Sequence, residues 1–441
     1  MNNNNLAQKA KDQLINRILG RKASLHGVDD SMPAVRAALH PGIPDAYTRF
    51  DRLPGYQKML VPKAAAERFG LSNPFFWVHE GMAGAHTRIN GRECINFSSY
   101  NYLGLNGHPA VSQAAKDAVD RYGTTVSASR LVAGERSIQR ELESALAAVY
   151  GVEDCIVFVS GHATNVSTIG CLFGPKDLVI HDSLIHNSVL EGVKLSGAAR
   201  RSFAHNDVAA LDTLLTEIRG QFERVLIVIE GHYSMDGDIA DLPAFIALKR
   251  RHKAFLMVDE AHSLGVLGAT GKGLHEHHGV DGKDVDIWMG TLSKTLAGCG
   301  GYIAGERALV EHLKYAAPGF VYSVGIAPAL AAASLTALNI MQKEPQRVVR
   351  LRENSQYFLQ QAKRNGLDTG NSEGFSIIPL MNGSSIKAAK LCSQLLESNI
   401  NVQPILYPAV EEKAARLRFF ISSEHSTDNM DQTIQVMRKL A

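Results

Sequence analysis

Short apolar runs broken by polar turns dominate the chain from "GRECINFSSYNYLGL" onward. "DCIVFVSG", "DLVIHD", "RVLIVIEG" and "KAFLMVDEAHS" each carry a continuous Val/Ile-rich run of strand length, followed by a loop or a helical pattern. A continuous run has no polar face to offer to water, so it predicts a strand covered on both sides. Such strands alternating with helices predict an α/β fold around a mainly parallel sheet. From residue 335 the pattern changes to a helical stretch over 335–365, a strand in "FSIIPLMN", a further helix, then "INVQPILYP" and "ARLRFFIS". These predict a smaller C-terminal α+β unit. Residues 1–50 read as an extension: an Asn-rich start, a basic helix over 6–22, and the Pro/Gly-dotted "ALHPGIPDAY". The expected organisation is therefore an extension (1–50), an arm (51–95), a large domain (96–334) and a small domain (335–441).

Composition narrows the class without naming a function. The 441 residues carry 46 basic and 44 acidic side chains, a net charge of +2, which gives no electrostatic reason to expect nucleic acid. Cys94, Cys155, Cys171, Cys299 and Cys392 are scattered, with no CxxC pair. That pattern reads as reduced thiols in a cytoplasmic protein and argues against a metal site. No window is long and apolar enough for an integral membrane segment, and the N-terminus lacks a signal-peptide core. The fragment "GVDDSMPAV" loosely matches the serine motif of acyl carrier proteins at Ser31, but too little chain precedes it for a carrier domain, so chance explains it better.

The polar residues that follow the apolar runs are the candidates for chemistry, because ligands of parallel sheets gather at the strands' carboxyl ends. Asp259 follows "FLMV" with His262 three residues on. A helix cap is its ordinary explanation, and a paired buried carboxylate is the functional one. Gly161 and His162 stand at a strand-to-helix turn, where backbone N–H groups can hold a phosphate, although the P-loop spacing is absent. "SLIHNS" offers His186, and "EGHYSMDGD" is a turn-forming loop containing Ser234. Lys294 sits alone among small residues in "WMGTLSKTLAGCGG". A lysine in such a setting is either a solvated loop residue or a nucleophilic amine. Taken together, a phosphate cradle, a buried carboxylate, two histidines and an isolated lysine are the parts a pyridoxal phosphate site requires.

The chain also resembles a known family. "NFSSYNYLGL", "SGHATN", "HDSLIHNSVLEG", "FAHND", "EGHYSMDGD", "VDEAHSLG", "GTLSKTLAG", "VYS" and "ARLRF" occur in the order found in the α-oxoamine synthases, which are fold-type I pyridoxal-phosphate (PLP) enzymes that include 8-amino-7-oxononanoate synthase and serine palmitoyltransferase. The resemblance implies Lys294, His186 and Asp259 as catalytic residues. Lys294 would form the imine and act as base, Asp259 would pair with the ring nitrogen, and His186 would stack on the ring. His262 would bond the phenolic oxygen, and Gly161, His162, Ser234 and Thr291 would contact the cofactor. Ser323, beside Tyr322, would reach the phosphate in the neighbouring subunit of a homodimer. Arg418 would clamp the substrate carboxylate, with Asn101 and His186 also on the substrate side.

The implied reaction is a decarboxylative condensation of an amino acid with an acyl thioester, acyl-CoA or an acyl-carrier protein, giving an α-amino ketone, CO2 and free thiol. Another fold-type I enzyme, an aminotransferase or a decarboxylase, is the rival. A non-catalytic partner subunit is disfavoured by the presence of Lys294. The chain departs from the family pattern at His162, where an aromatic residue is usual, and at Val324, where Thr or Ser is common. "GTTVSASR" replaces a glycine-rich stretch with Thr125, Val126 and Ala128. This last change, together with "SYNYLG" and "DEAHS", points to a substrate with a side chain, serine or alanine, over glycine. The N-terminal extension favours a carrier protein as donor.

Overall fold

The structure is a computed structural model that describes residues 42–68 and 73–440. The basic helix expected over 6–22 and Ser31 lie outside these residues. The chain separates into two compact units, residues 1–73 and 74–441. In the first, two short turns, Asp45–Thr48 and Phe50–Arg52, precede a helix, Pro54–Arg68. Proline opens this helix at the position where a missing N–H costs nothing.

The second unit begins with β1 (His79–Glu80), β2 (His86–Ile89) and β3 (Arg92–Asn96). There follow β4 (Asp154–Phe158), β5 (Leu178–Asp182), β6 (Ala199–Phe203), β7 (Val225–Glu230), β8 (Phe255–Asp259), β9 (Ile287–Thr291) and β10 (Gly301–Gly305). These last seven form one sheet in the order β4-β10-β9-β8-β7-β5-β6. β5 pairs in parallel with β6 and β7, β7 with β8, and β8 with β9. β10 alone is reversed, antiparallel to both β9 and β4. The carboxyl ends of the six parallel strands therefore open on one edge. The continuous apolar runs have the expected cause: successive residues feed two cores. Ile227, Ile229, Leu256 and Val258 join the larger cluster, while Leu226, Val228, Met257 and Met289 join the cluster on the other face.

The C-terminal part adds β11 (Ile377–Met381), β12 (Ile400–Asn401), β13 (Gln403–Ile405) and β14 (Arg416–Phe420). β14 lies between β11 and β13, antiparallel to both. β12 instead joins β1, β2 and β3, running parallel to β3 with Ile400 opposite Ile95. The single helical stretch expected over 335–365 is two helices, Pro328–Lys343 and Gln346–Arg364. Pro345 causes the break. Its ring pushes the preceding residue out of the helical region, and Glu344 sits at φ −120°, ψ 62°. The first of these helices also runs across the 334/335 boundary drawn from the sequence.

Candidate active site

A cavity of about 250 Å³ lies at the carboxyl ends of β4, β5, β7, β8 and β9. Gly161, His162, His186, Ser234, Asp259, His262, Thr291 and Lys294 all line it, as do Asn165, Ser188 and Glu230. Residues drawn from 160 to 300 in sequence meet here because they close parallel strands, open the helices after them or lie in the loops that leave them.

Gly161 begins the helix Gly161–Leu172, capped by Ser160, whose Oγ accepts from Ala163 N at 3.3 Å. A side chain at Gly161 would meet Thr291 Oγ1 at 2.9 Å, so only glycine leaves this helix start open to the cavity. Thr291 is held in turn by donating to Gly300 O at 2.9 Å. The helix start thus offers the positive end of its dipole, with N–H groups directed at an anion.

Asp259 ends β8 directly opposite Met289 of β9 and Glu230 of β7. Its Oδ2 accepts from Asn165 Nδ2 at 3.0 Å and its Oδ1 from Ala261 N at 3.0 Å. Asn165 stands four residues after Gly161, on the same helical face, and its amide also donates to Ser188 Oγ. Glu230 is treated differently. One oxygen accepts from Ser234 N at 3.2 Å, and Oε1 is buried with no partner. Burial, and then the neighbouring Asp259 charge, push the Glu230 carboxyl above the ordinary range.

Lys294 lies in the loop that joins β9 to β10. Burial pulls its amine down to about 8, against the opposing pull of Asp259 and Glu230. Its Nζ sits 5.5 Å over the Tyr100 ring. The small residues around it have a packing cause as well: Gly298 abuts Ser334 of the helix Pro328–Lys343, leaving no room for a side chain. Thr295 donates to Leu264 O and ties the loop to the segment after β8.

The two histidines are neutral donors or acceptors. His186 caps the helix Asn187–Ser196, its Nδ1 accepting from Ser188 N and bonded to Ser188 Oγ at 2.7 Å. Burial lowers its pKa. Burial holds His262 well below the ordinary histidine range, and its Nδ1 lies 2.7 Å from the Tyr102 hydroxyl. Behind the cavity His205 has the opposite character. Its ring nitrogens lie 3.0 Å from Asp182 Oδ1 and 2.7 Å from Asp238 Oδ2. Burial opposes its charge, but the two carboxylates prevail and push its pKa up to about 10.

Arg418 of β14 donates from Nη1 to Ser234 O at 2.7 Å, and its guanidinium carbon lies 4.6 Å over the Phe420 ring. Its Nε is buried without a partner, and Arg418 lines neither this cavity nor the second one beside it. A second cavity shares Ser293 and Lys294 with the first and includes Tyr100 and Asn101. The Asn101 amide is occupied within the chain, donating to Ala83 O and accepting from Asn106 N. Ser323 lines neither cavity of its own chain, and Tyr322 beside it is 86% exposed. Thr125, Val126 and Ala128 line neither cavity as well. Thr125 is exposed, while Val126 and Ala128 meet Gly325, whose N donates to Ala128 O, and Ser129 Oγ donates to Val321 O.

Asn165, Ser188 and Glu230 were not singled out from the sequence. Asn165 was within reach: "GHATN" puts it one helical turn after the glycine of the phosphate cradle. Glu230 is the last residue of a wholly buried strand, the position that marked out Asp259.

Pyridoxal phosphate fits the residues present. The open helix start at Gly161 suits its phosphate, and Asp259, fixed from two directions, suits its ring nitrogen. A buried amine faces the same space. Comparison with known proteins agrees. Residues 92–437 match the model of the aminotransferase class I and II family. The chain is 41% identical to 8-amino-7-oxononanoate synthase of Symbiobacterium thermophilum, over 80% of this chain and 89% of the relative. It is 37% identical to 8-amino-7-oxononanoate synthase 1 of Bacillus subtilis, over 82% and 92%. Among solved structures it is similar to the serine palmitoyltransferase of Sphingomonas wittichii (TM-score 0.84, 30% identity, 88% of this chain and 97% of that one). It is also similar to a structure of SPT with PLP (TM-score 0.83, 28% identity, 87% and 97%). A chain with this fold, this cavity and these relatives belongs to the aminotransferase class I and II family and, within it, to the α-oxoamine synthases, PLP-dependent acyltransferases that join an amino acid to an acyl thioester with loss of CO2.

Proposed function

We propose that this α-oxoamine synthase acts on an amino acid that carries a side chain, serine or alanine, with Lys294, Asp259 and His186 at the reacting centre. One observation carries the assignment of residues: a buried amine, a doubly held carboxylate and an open helix start face a single cavity. The cofactor, when bound, supplies an electron sink for negative charge at the substrate's Cα.

The protein's own groups do the rest. Lys294 would hold the cofactor through its amine, and the same Nζ, when free, would move the substrate's Cα proton. An amine with its pKa lowered to about 8 is partly unprotonated near neutral pH, as a base must be. Asp259, both of whose oxygens are fixed by Asn165 and Ala261, would face the ring nitrogen. His186 presents a neutral ring to the cofactor face, and His262 meets the phenolic oxygen. Gly161, His162, Ser234 and Thr291, which line the cavity, would hold the phosphate and ring. Arg418, which lines neither cavity but keeps an unpartnered Nε, is our choice for the substrate carboxylate, whose binding would require its guanidinium to reach the cavity. Asn101 stiffens the neighbouring wall.

The names of the relatives support a substrate with a side chain. An 8-amino-7-oxononanoate has a methyl group on its amino-bearing carbon, the trace of an alanine, and serine palmitoyltransferase states its amino acid. Thr125, Val126 and Ala128 act through the surface that Val126 and Ala128 share with Gly325, the face we assign to a homodimer in which Ser323 serves the partner's phosphate site. Acyl-CoA and acyl-carrier protein are the candidate donors, the carrier being our choice, in the cytoplasm. Among the described residues no helix is long and apolar enough to cross a membrane. The arm (51–95) and large domain belong to the same proposal, with the small domain beginning at the Pro345 break.

The test measures CO2 and free thiol released from glycine, alanine and serine, each with an acyl thioester on CoA or on a carrier protein. Serine or alanine should exceed glycine at least tenfold in kcat/KM, about 1.4 kcal/mol. Preference for glycine would overturn the substrate reading. Turnover without thiol release would instead point to an aminotransferase or decarboxylase.

A further inference from the structure

Two arginines, Arg416 and Arg418, stand two residues apart on β14 and so share one of its faces. Both reach the loop after β7, and they are held very differently. Arg416 is buried and donates from Nε to Ala414 O at 2.9 Å. Its Nη1 donates to Asp236 Oδ1 at 2.7 Å and to Met235 O at 3.1 Å. Arg418 meets the same loop through Nη1, at 2.7 Å from Ser234 O and 3.5 Å from Met235 Sδ, and its buried Nε has no partner. The oxygen bonds run one way only, because a guanidinium donates and carbonyl and carboxylate oxygens accept. Arg416 is thus the anchored member of the pair, and Arg418 the one with a donor to spare.

The loop has a shape of its own to be anchored. Ser234 N donates to Glu230 Oε2 at 3.2 Å, and Gly237 N closes a turn on Tyr233 O at 2.9 Å. Its far end is held separately, by Glu373 N donating to Gly237 O at 3.1 Å. Loss of the Arg416 pair would therefore free the near end without releasing the loop. Glu230 and Ser234 line the cavity, and Asp236 follows two residues later. The side chains of Arg416 and Asp236 are 7% and 14% exposed, so solvent and salt screen their attraction little.

We propose that Arg416 is a positioning residue for the amino-acid substrate: paired with Asp236, it pins β14 to the Ser234 end of the loop, so that Arg418 need move only its side chain to meet the substrate carboxylate. The proposal rests on the reading of Arg418 given above. Arg418 lies outside the cavity, and a bidentate clamp tolerates little error in distance or angle. A strand that shifted would take the guanidinium away from the carboxylate. Gly161, Asp259 and Lys294, assigned to the cofactor, sit on other elements and would keep their places.

The experiment titrates the cofactor-loaded protein with alanine and with alaninamide, which lacks the carboxylate charge. Each dissociation constant is read from the cofactor's visible band. Arg418→Gln should weaken alanine binding roughly tenfold or more, the size of a hydrogen bond to a charged group, and leave alaninamide unchanged. Arg416→Gln should weaken alanine about three- to tenfold, again sparing alaninamide, with cofactor affinity and kcat nearly unchanged. In the Arg418→Gln background, Arg416→Gln should add no further loss, because residues acting through one contact are not additive. Asp236→Asn keeps the shape of the loop and removes the charge, so it should behave as Arg416→Gln does, and it serves where Arg416→Gln fails to fold. Unchanged alanine binding in Arg418→Gln overturns the reading of Arg418, and the role of Arg416 with it. With Arg418→Gln as expected, three results overturn the role of Arg416 alone. They are unchanged alanine binding in Arg416→Gln (or in Asp236→Asn where that variant serves), equal losses for alanine and alaninamide, and additive losses in the double variant.

Discussion

Two buried polar clusters lie at the carboxyl edge of the same sheet and spend their polar groups in opposite ways. In the His205 clamp charge meets opposite charge: two carboxylates grip one imidazolium, Asn206 adds a bond to each of them, and of the four carboxylate oxygens Asp238 Oδ1 is left without a partner. In the cavity, charges and acceptors are left partly unanswered: Glu230 Oε1 and Asn165 Oδ1 have no partner, and Lys294 sits at a lowered pKa. The clamp stabilises the fold, and the cavity holds interactions in reserve for ligands. Unsatisfied buried groups cost stability, and proteins retain them where binding will supply the missing partner.

That contrast can be broken by substitution. The largest effect is expected at Lys294. Lys294→Ala should lower turnover by at least about a thousandfold. Its thermal midpoint should not fall, because removing a desolvated amine relieves a cost. Thiol release and thermal unfolding on the same preparation check both halves. Asp259→Asn preserves shape but not charge. With a pKa effect of roughly one to three units, turnover should fall about 10- to 1000-fold. Near-normal turnover would take Asp259 out of its role.

The clamp should respond in stability. His205→Gln leaves two buried carboxylates without their cation, and denaturant unfolding at pH 7 should register a loss of roughly 3 kcal/mol. The pH dependence sharpens this point. The folded pKa of His205, about 10, lies above the ordinary 6.5. Its contribution is therefore complete below pH 6.5 and is lost as pH rises towards 10. Stability measured across that window should decline in wild type and flatten in His205→Gln. The smallest effect belongs to Glu230→Gln. Because the carboxyl is held above its usual range, a neutral amide should change stability at neutral pH by about 1 kcal/mol or less. The variant should also lose the part of the pH dependence that arises as Glu230 ionises.

What could be read from the sequence followed physical locality. The parallel strands were legible because burial on both faces forces unbroken Val and Ile runs, and the strand-end residues Gly161, Asp259 and Lys294 were legible because each departs from its local surroundings. Pro345 was also visible, yet the apolar periodicity on either side of it masked the break. Asn165 was missed because a buried amide looks like any polar helix residue until the carboxylate it holds is known. Glu230 was passed over as a strand-end polar residue, since its missing partner is a fact of packing. Tyr102 lies 160 residues from His262, and no local pattern announces a bond across that distance. Thr125, Val126 and Ala128 read as a wall of the substrate pocket, whereas they line neither cavity of their own chain, and Val126 and Ala128 meet Gly325 instead.

The parallel pairing of β12 with β3 sets the order of assembly during synthesis. Ile95 and Asn96 leave the ribosome some 300 residues before Ile400 and Asn401, their partners in the sheet. The segment that carries Tyr100 and Tyr102 waits on the same late arrivals: Phe420 N bonds to Phe97 O and Ser423 N to Tyr102 O. Contacts so distant in sequence form slowly and late. Translation must therefore be almost finished before this side of the cavity can close, and a nascent chain released before residue 423 lacks the partners that fix Tyr102 beside His262.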